Sequence, residues 1–332
     1  MSGVRSLRFL CILLAVVSIG VIAGCAEQPQ VAHGPAKPAL VQFQRLSILG
    51  TDGTRVVCPH YVINSTLSDP QALHNVAEVL EGALAEYRAL APEVRLSERP
   101  MECYLFDTRA QWAAFTSEHT GDDSKIYLRV NRGGYTVGDW FVAYWIGDPA
   151  TYSVAAHEGW HQYVARNLKG RLPPFLEEGL ACLFEQVQWE GDLPRWDLSA
   201  NGSRLQSLRS AETAQQLIPL ERLVRMHAGQ VVGRPASQIE AFYAESWAFA
   251  RFLYNGNEGR NRQALGRMLT DAARGELFND NSRQLADGPL WDPATAKPML
   301  EHYLGKSLSQ TEREFRTYME QLTSQSSPPP AG

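Results

Sequence analysis

The stretch TYSVAAHEGWHQYV, residues 151–164, sets His157 and His161 four positions apart, with Glu158 beside the first. Positions i and i+4 share one face of a helix, so each imidazole can point a nitrogen at a common ion. The carboxylate next to the first histidine can then reach a water held by that ion. At roughly 100° per residue, Val154, His157, His161, Val164 and Leu168 fall within about 80° of arc, which puts both histidines in the apolar stripe and Glu158 at its margin. Imidazoles buried there need polar partners. Two readings follow: a metal pair with an attendant base, or two core histidines bonded to carbonyl groups. The motif fixes only three residues and recurs by chance in roughly one chain in a hundred of this size, so other residues must decide.

The next candidate lies in LPPFLEEGLACLFE, residues 172–185. Pro173-Pro174 starts a second helix there, with Glu177 and Glu178 in its first turn. The helix dipole alone favours carboxylates at that place. A mononuclear catalytic zinc, however, takes three protein ligands and leaves one position open, and two histidines with a glutamate are a standard set. Glu178 lies 17 residues after His161, far enough for one helix to end, turn and return a carboxylate. Helical geometry does not choose between Glu177 and Glu178.

These residues need elements to position them. Residues 41–50 and 54–66 alternate and are rich in β-formers, so they read as strands joined at the Thr51-Asp52-Gly53 turn. Asp69-Pro70 opens a helix through residue 92, with the two residues in N-cap and N1 order. Residues 101–107 read as a strand, 108–121 as a short helix, 125–130 as another strand, and 135–147 as an aromatic edge strand. Helices are expected at 149–168, 174–188, 236–255, 259–274 and 308–323. Strands come first and helices later, an α+β pattern: an N-terminal mixed sheet with helices (41–147), then a mostly helical half (148–323) that carries the metal candidates.

The ends of the chain lie outside that fold. Residues 1–24 have a basic start at Arg5 and Arg8 and an apolar run from Phe9 to Ala23, the build of a secretory signal. The run is shorter than the ~20 residues of a spanning helix. Its close, IAGC, resembles a bacterial lipobox, in which Cys25 becomes the lipidated first residue and tethers the chain to a membrane surface. Ala26 rather than aspartate follows, which favours an outer membrane, on the periplasmic side, where the cell has one. Residues 25–40 read as a flexible tether reaching roughly 40 Å at about 3 Å per residue, and 324–332 as a disordered tail. Cys58, Cys103 and Cys182 remain; export makes a disulfide feasible, with Cys58 and Cys103, both in expected strands, the favoured pair. The net charge of −5 is spread along the chain without a basic run, which gives nucleic acid no electrostatic footprint.

The run AAHEGWHQYV…LPPFLEEGLACLFE resembles the gluzincin metallopeptidases, in particular the peptidase MA-like domains of exported bacterial proteins. Their pattern is HExxH, a short turn, then P-x-W/F-L-x-E-G-L-A. The counterparts here are His157, Glu158 and His161, then Pro174, Phe175, Leu176, Glu178, Gly179, Leu180 and Ala181. The spacing departs at the proline, since Phe175 follows Pro174 directly and Pro173 sits in the family's place. Weaker likeness spans residues 55 to 256, with strong motifs only in 154–185. The resemblance implies a zincin-like fold, one Zn²⁺ bound by His157, His161 and Glu178, and Glu158 as general base. It also implies a Tyr or His donor to the oxyanion on a later helix, for which Tyr243 in AFYAESW is the candidate; a core aromatic packed with Trp247 and Tyr254 is the plain alternative. The residue four after the glutamate ligand is often acidic in such families and supports a histidine ligand. Here it is Cys182, and Glu185, one turn on, is the substitute.

The chemistry expected of an intact site is hydrolysis of a peptide or related amide bond by metal-activated water. The expected partners are a peptide or envelope-protein substrate, and the membrane through lipid on Cys25. An extended substrate could add to the edge strand near Gly133, Gly134 and Tyr135, where the glycines either admit a second backbone or merely make a turn. The competing class is an inactive peptidase-like binding module of the cell envelope, favoured by Cys182. Intact Glu158 favours the enzyme, because a structural zinc has no use for a base.

Overall fold

The computed structural model describes residues 32–130, 133–278 and 292–324. Alternation makes the first hairpin, β1 (Gln42–Ile48) with β2 (Thr51–Val57). Its turn is Leu49-Gly50, with φ of 51° and 71°, rather than the Thr51–Gly53 signal, which lies within β2. Pro59 cannot donate to a ladder, so the chain expected as one strand breaks there and resumes as β3 (Tyr61–Ser65). Helix α1 (Pro70–Leu90) begins as expected, the Asp69 carboxylate accepting from the amides of Gln71 and Ala72. β4 (Met101–Phe106), α2 (Arg109–His119) and a single turn, α3 (Ser124–Tyr127), follow. The expected strand at 125–130 is therefore corrected: Lys125–Val130 is a short apolar run of the kind that fits either state.

The expected edge strand is a hairpin, β5 (Gly134–Val137) with β6 (Trp140–Tyr144), turning at Gly138. The six strands form one mixed sheet in the order β1-β2-β3-β4-β6-β5, with β3, β4 and β6 parallel. β5 is thus an edge, while β6 lies inside. Helix α2 covers one face of the sheet, over a small aromatic core around Trp112 and Phe115; α1 and α4 (Ala150–Asn167) cover the other.

The helical half continues with α5 (Pro174–Leu183), the hairpin β7 (Val187–Glu190) and β8 (Leu193–Trp196), then α6 (Gly202–Thr213). Short turns α7 (Leu220–Leu223) and α8 (Ala228–Val231) lead to α9 (Ala236–Asn255), α10 (Arg260–Arg274), α11 (Ala296–Leu304) and α12 (Leu308–Ser324). The helix expected to 188 stops at Leu183. The coarse α+β division holds: a mixed sheet with its helices comes first, then a mostly helical half that also carries the small β7–β8 hairpin, which the sequence reading does not include.

Two close approaches set the geometry of the centre. A Cβ on Gly159 would sit 2.8 Å from the Tyr87 hydroxyl, and one on Gly179 would sit 2.1 Å from the Ser246 carbonyl oxygen. Only glycine lets α4 lie this close to α1, and α5 to α9. The core face of α4 is accordingly Tyr152, Ala155, Ala156, Gly159, Trp160 and Tyr163. This corrects the expectation that the histidine stripe faces the main core: His157 and His161 flank that face, turned toward α5.

The N-terminal stretch is also corrected from His33 onward. His33 pairs with Trp196, the Pro35 carbonyl accepts from Arg195, and the Ala39 amide donates to Glu78 on α1. Composition suggested a free tether to residue 40, yet this segment is hydrogen-bonded to the body. Every described element and its core follow residue 31. Cys58, Cys103 and Cys182 are buried free thiols, so the expected Cys58–Cys103 bridge is not formed. No helix among the described residues is long and apolar enough to cross a membrane. Cys25, the signal-like segment and the tail from 325 lie outside the described residues.

Candidate metal centre

α4 presents His157 and His161, and α5 returns Glu178 beneath them. His157 Nε2 lies 3.3 Å from His161 Nε2 and 3.3 Å from Glu178 Oε2, and His161 Nε2 lies 3.4 Å from the same oxygen. The three atoms form a nearly equilateral triangle. A tetrahedral ion with bonds of about 2.0–2.1 Å needs ligand–ligand edges of about 3.3–3.4 Å, so the triangle has the size of one face of such a site.

The outer nitrogens fix the orientation. His157 Nδ1 is 3.0 Å from Glu185 Oε1, and His161 Nδ1 is 3.0 Å from Glu177 Oε1. An ionised carboxylate only accepts, so each Nδ1 carries a proton and each Nε2 faces the centre. Glu178 Oε2 is buried there without a well-directed hydrogen bond. A buried acceptor left in that state is costly, and a cation at the triangle would satisfy it.

Charge points the same way. Burial works against a charged imidazole, yet Glu178 and Glu177 raise His161 to about 10. His157 is likewise held well above its ordinary value, against burial, by Cys182, Glu178 and Glu185. Burial would raise the carboxyl of Glu178, but the two imidazoles hold it far down. Arg204, then His157, do the same for Glu185. With the imidazoles neutral, as ligation of a metal would require, Glu177, Glu178 and Glu185 face one guanidinium. That leaves two negative charges before Glu158 is counted, matching a divalent ion.

Glu185 settles the Cys182 question structurally. Cys182 Sγ is 4.0 Å from His157 Nδ1, while the Glu185 carboxylate makes the short contact. Because α5 ends at Leu183, the chain turns and brings Glu185 back to the histidine. Arg204 grips it with two nitrogens at 2.8 and 2.6 Å, and Asn201 Nδ2 donates at 2.8 Å. Asn201 also caps α6 through its Oδ1. The sequence reading missed Arg204 and Asn201, although Asn201-Gly202 ahead of Leu205 and Leu208 is a helix-start signal. It also left Glu177 as the discarded neighbour of Glu178; Glu177 instead orients His161.

Glu158 lies at the edge of the centre. Thr136 on β5 donates to its Oε2 at 2.9 Å, and the same hydroxyl is 3.1 Å from the Glu158 carbonyl oxygen. The hairpin is clamped along α4 by two further contacts: Gln162 Nε2 to the Asp139 carbonyl at 2.7 Å, and Arg166 to the Asp139 carboxylate at 2.9 Å. Tyr243 on α9 stands with its ring centre 6.2 Å from that of His157, with the Arg204 guanidinium 5.0 Å over its ring. Burial, then the carboxylates of Glu178 and Glu158, push its phenol well above the ordinary value, so it keeps its proton at neutral pH.

The other strand residues have different roles. Tyr135 is buried on the α2 side, its hydroxyl donating to Thr116 at 3.0 Å and its ring stacked on Tyr127. Gly133 has φ of 127°, and a Cβ on Gly134 would come within 2.9 Å of the Val142 carbonyl oxygen. The two glycines therefore serve the turn and the pairing with β6, and Thr136 is the residue of this strand that reaches the centre. Comparison of the chain with protein-family models, with curated proteins and with solved structures gives no match.

Proposed function

We propose that the chain is a zinc-dependent hydrolase of peptide or related amide bonds, zincin-like in fold and gluzincin-like in its ligand set. The triangle of His157 Nε2, His161 Nε2 and Glu178 Oε2, with edges of 3.3–3.4 Å, carries this reading. Two nitrogens and one oxygen are a ligand set that suits catalytic zinc. A zinc ion held by these three residues would supply Lewis acidity and make a water acidic enough to act near neutral pH.

The remaining roles fall to the chain's own groups. Glu158, steadied by Thr136, takes the proton of the attacking water and passes it to the leaving amine. Tyr243, protonated and beside His157, donates to the oxyanion. Glu185 and Glu177 hold the ligating imidazoles in one tautomer. The outer edge of β5 offers backbone groups to an extended substrate. Glu185 makes the contact with His157 that an acidic residue at 182 would have made, which favours this reading over an inactive binding module.

The signal-like first 24 residues and Cys25 support export and lipid attachment at a bacterial envelope, most simply the periplasmic face of an outer membrane. Replacing Cys25 with Ser should move the protein out of the membrane fraction. The catalytic reading is tested with a quenched-fluorescent peptide library. Glu158→Gln should retain zinc and lose hydrolysis; full activity in that variant contradicts the assigned base.

A further inference from the structure

A cavity lies in the helical half, lined by none of the residues of the candidate metal centre. Its volume is about 740 Å³, inside the roughly 300–1,000 Å³ range of small-molecule sites. Ala241 and Gln238 line it from α9, while Tyr243 faces the metal ligands from the same helix. At about 100° per residue, Ala241 and Tyr243 point roughly 160° apart, so the cavity and the centre use opposite sides of α9. The turns α7 and α8 and residues 216–218 close the cavity.

Its chemistry is divided. Leu217, Ile218, Met226, Val231 and Ala241 supply an apolar wall. Arg222, Arg225 and Arg234 supply positive charge, and among the described residues no carboxylate lines the cavity. Arg225 is paired with Glu221 at 2.8 Å. Among the described residues, Arg222 and Arg234 have no carboxylate partner; Arg234 reaches only the Gln230 carbonyl, at 3.4 Å. A fourth guanidinium stands nearby, since a Cβ on Gly233 would lie 3.6 Å from Arg129. The wall is fixed: the Ile218 amide donates to Glu245 at 2.8 Å, and the Leu220 amide to Glu312 on α12 at 3.1 Å.

Guanidinium groups without carboxylate partners, set beside an apolar wall in one cavity, match one ligand type. We propose that this cavity binds a single-chain amphipathic anion, its oxyanion head on Arg222 and Arg234 and its alkyl part along Leu217, Met226 and Val231. Guanidinium forks accept carboxylate and phosphate heads equally well in geometry. The site is independent of the metal reading.

Calorimetric titration of residues 26–332 with decanoate, decyl phosphate, decanol and inorganic phosphate tests it, beside the variant carrying Arg222→Ala and Arg234→Ala. At least one decyl anion should bind with one-to-one stoichiometry, at least tenfold more tightly than decanol or inorganic phosphate. Whichever does so identifies the head group. The double variant should lose at least tenfold in that affinity with its zinc content and unfolding temperature unchanged. The proposal is overturned if neither decyl anion outbinds decanol, if inorganic phosphate binds as tightly as decyl phosphate, or if the double variant binds as well as the parent.

Discussion

The two sides of α9 treat a buried glutamate in opposite ways. Toward the candidate metal centre, Glu185 is held ionised by Arg204 and His157 against the cost of burial. On the other side, Glu245 is fully buried with one oxygen accepting from Ile218 and the other without a partner, and burial pushes it up to about 8. Burial is common to both. What differs is that α4, α5 and α6 bring opposite charge into direct contact at one point, whereas Glu245 takes one hydrogen bond from the 216–220 segment, and the Arg316 guanidinium on α12 is engaged by Glu312 and the Ile218 carbonyl. Negative charge survives inside this protein where several elements converge on it, and that convergence makes a place for a cation.

The largest effect should come from Glu245. Its pKa is raised on folding, so between about 4.5 and 8 the native state holds a proton that the unfolded state has released. Stability must then fall as pH rises through that window, by about 3–5 kcal/mol in total. Urea unfolding at pH 5.5 and 8.5 should show Glu245→Gln losing most of that difference. An unchanged difference would mean Glu245 is ionised in the native state, and the contrast across α9 would fail.

Glu185→Gln attacks the other side. It leaves Arg204 without its carboxylate and should cost roughly 3 kcal/mol in unfolding experiments, together with at least tenfold in zinc affinity. Glu177→Gln removes a carboxylate that has no guanidinium partner among the described residues. It should cost about tenfold in zinc affinity by chelator competition, with much less change in stability. Equal destabilisation by the two variants would show that Arg204 does not distinguish the arms.

Much of the candidate centre was legible because its proposed ligands sit on two helices with strong local signals. His157 and His161 share a face by spacing alone, and Asp69-Pro70 and Pro174 mark helix starts that the structure keeps. The supporting groups were not legible, since each depends on where the chain goes after an element ends. Glu185 acts from beyond the end of α5, and Arg204 from a helix the sequence reading did not identify. Thr136 reaches Glu158 only because Gly138 folds the expected single strand into a hairpin. Likewise, nothing in the composition of residues 33–39 announces their contacts with Arg195, Trp196 and Glu78.

The smallest effect concerns that hairpin. Thr136→Val removes one hydrogen bond to a carboxylate, worth about 1.5 kcal/mol or roughly tenfold in rate. Zinc content should not change, and Thr136→Ser should restore hydrolysis. Loss of zinc in the valine variant would make Thr136 a support of the ligands rather than of Glu158.

The most direct measurement is elemental metal analysis of purified residues 26–332 beside His161→Ala. About one zinc per chain is expected, lost in the variant, because the triangle of ligand atoms is sized for one tetrahedral ion. No zinc in either protein, after zinc has been supplied, would contradict the metal centre and the hydrolase reading with it.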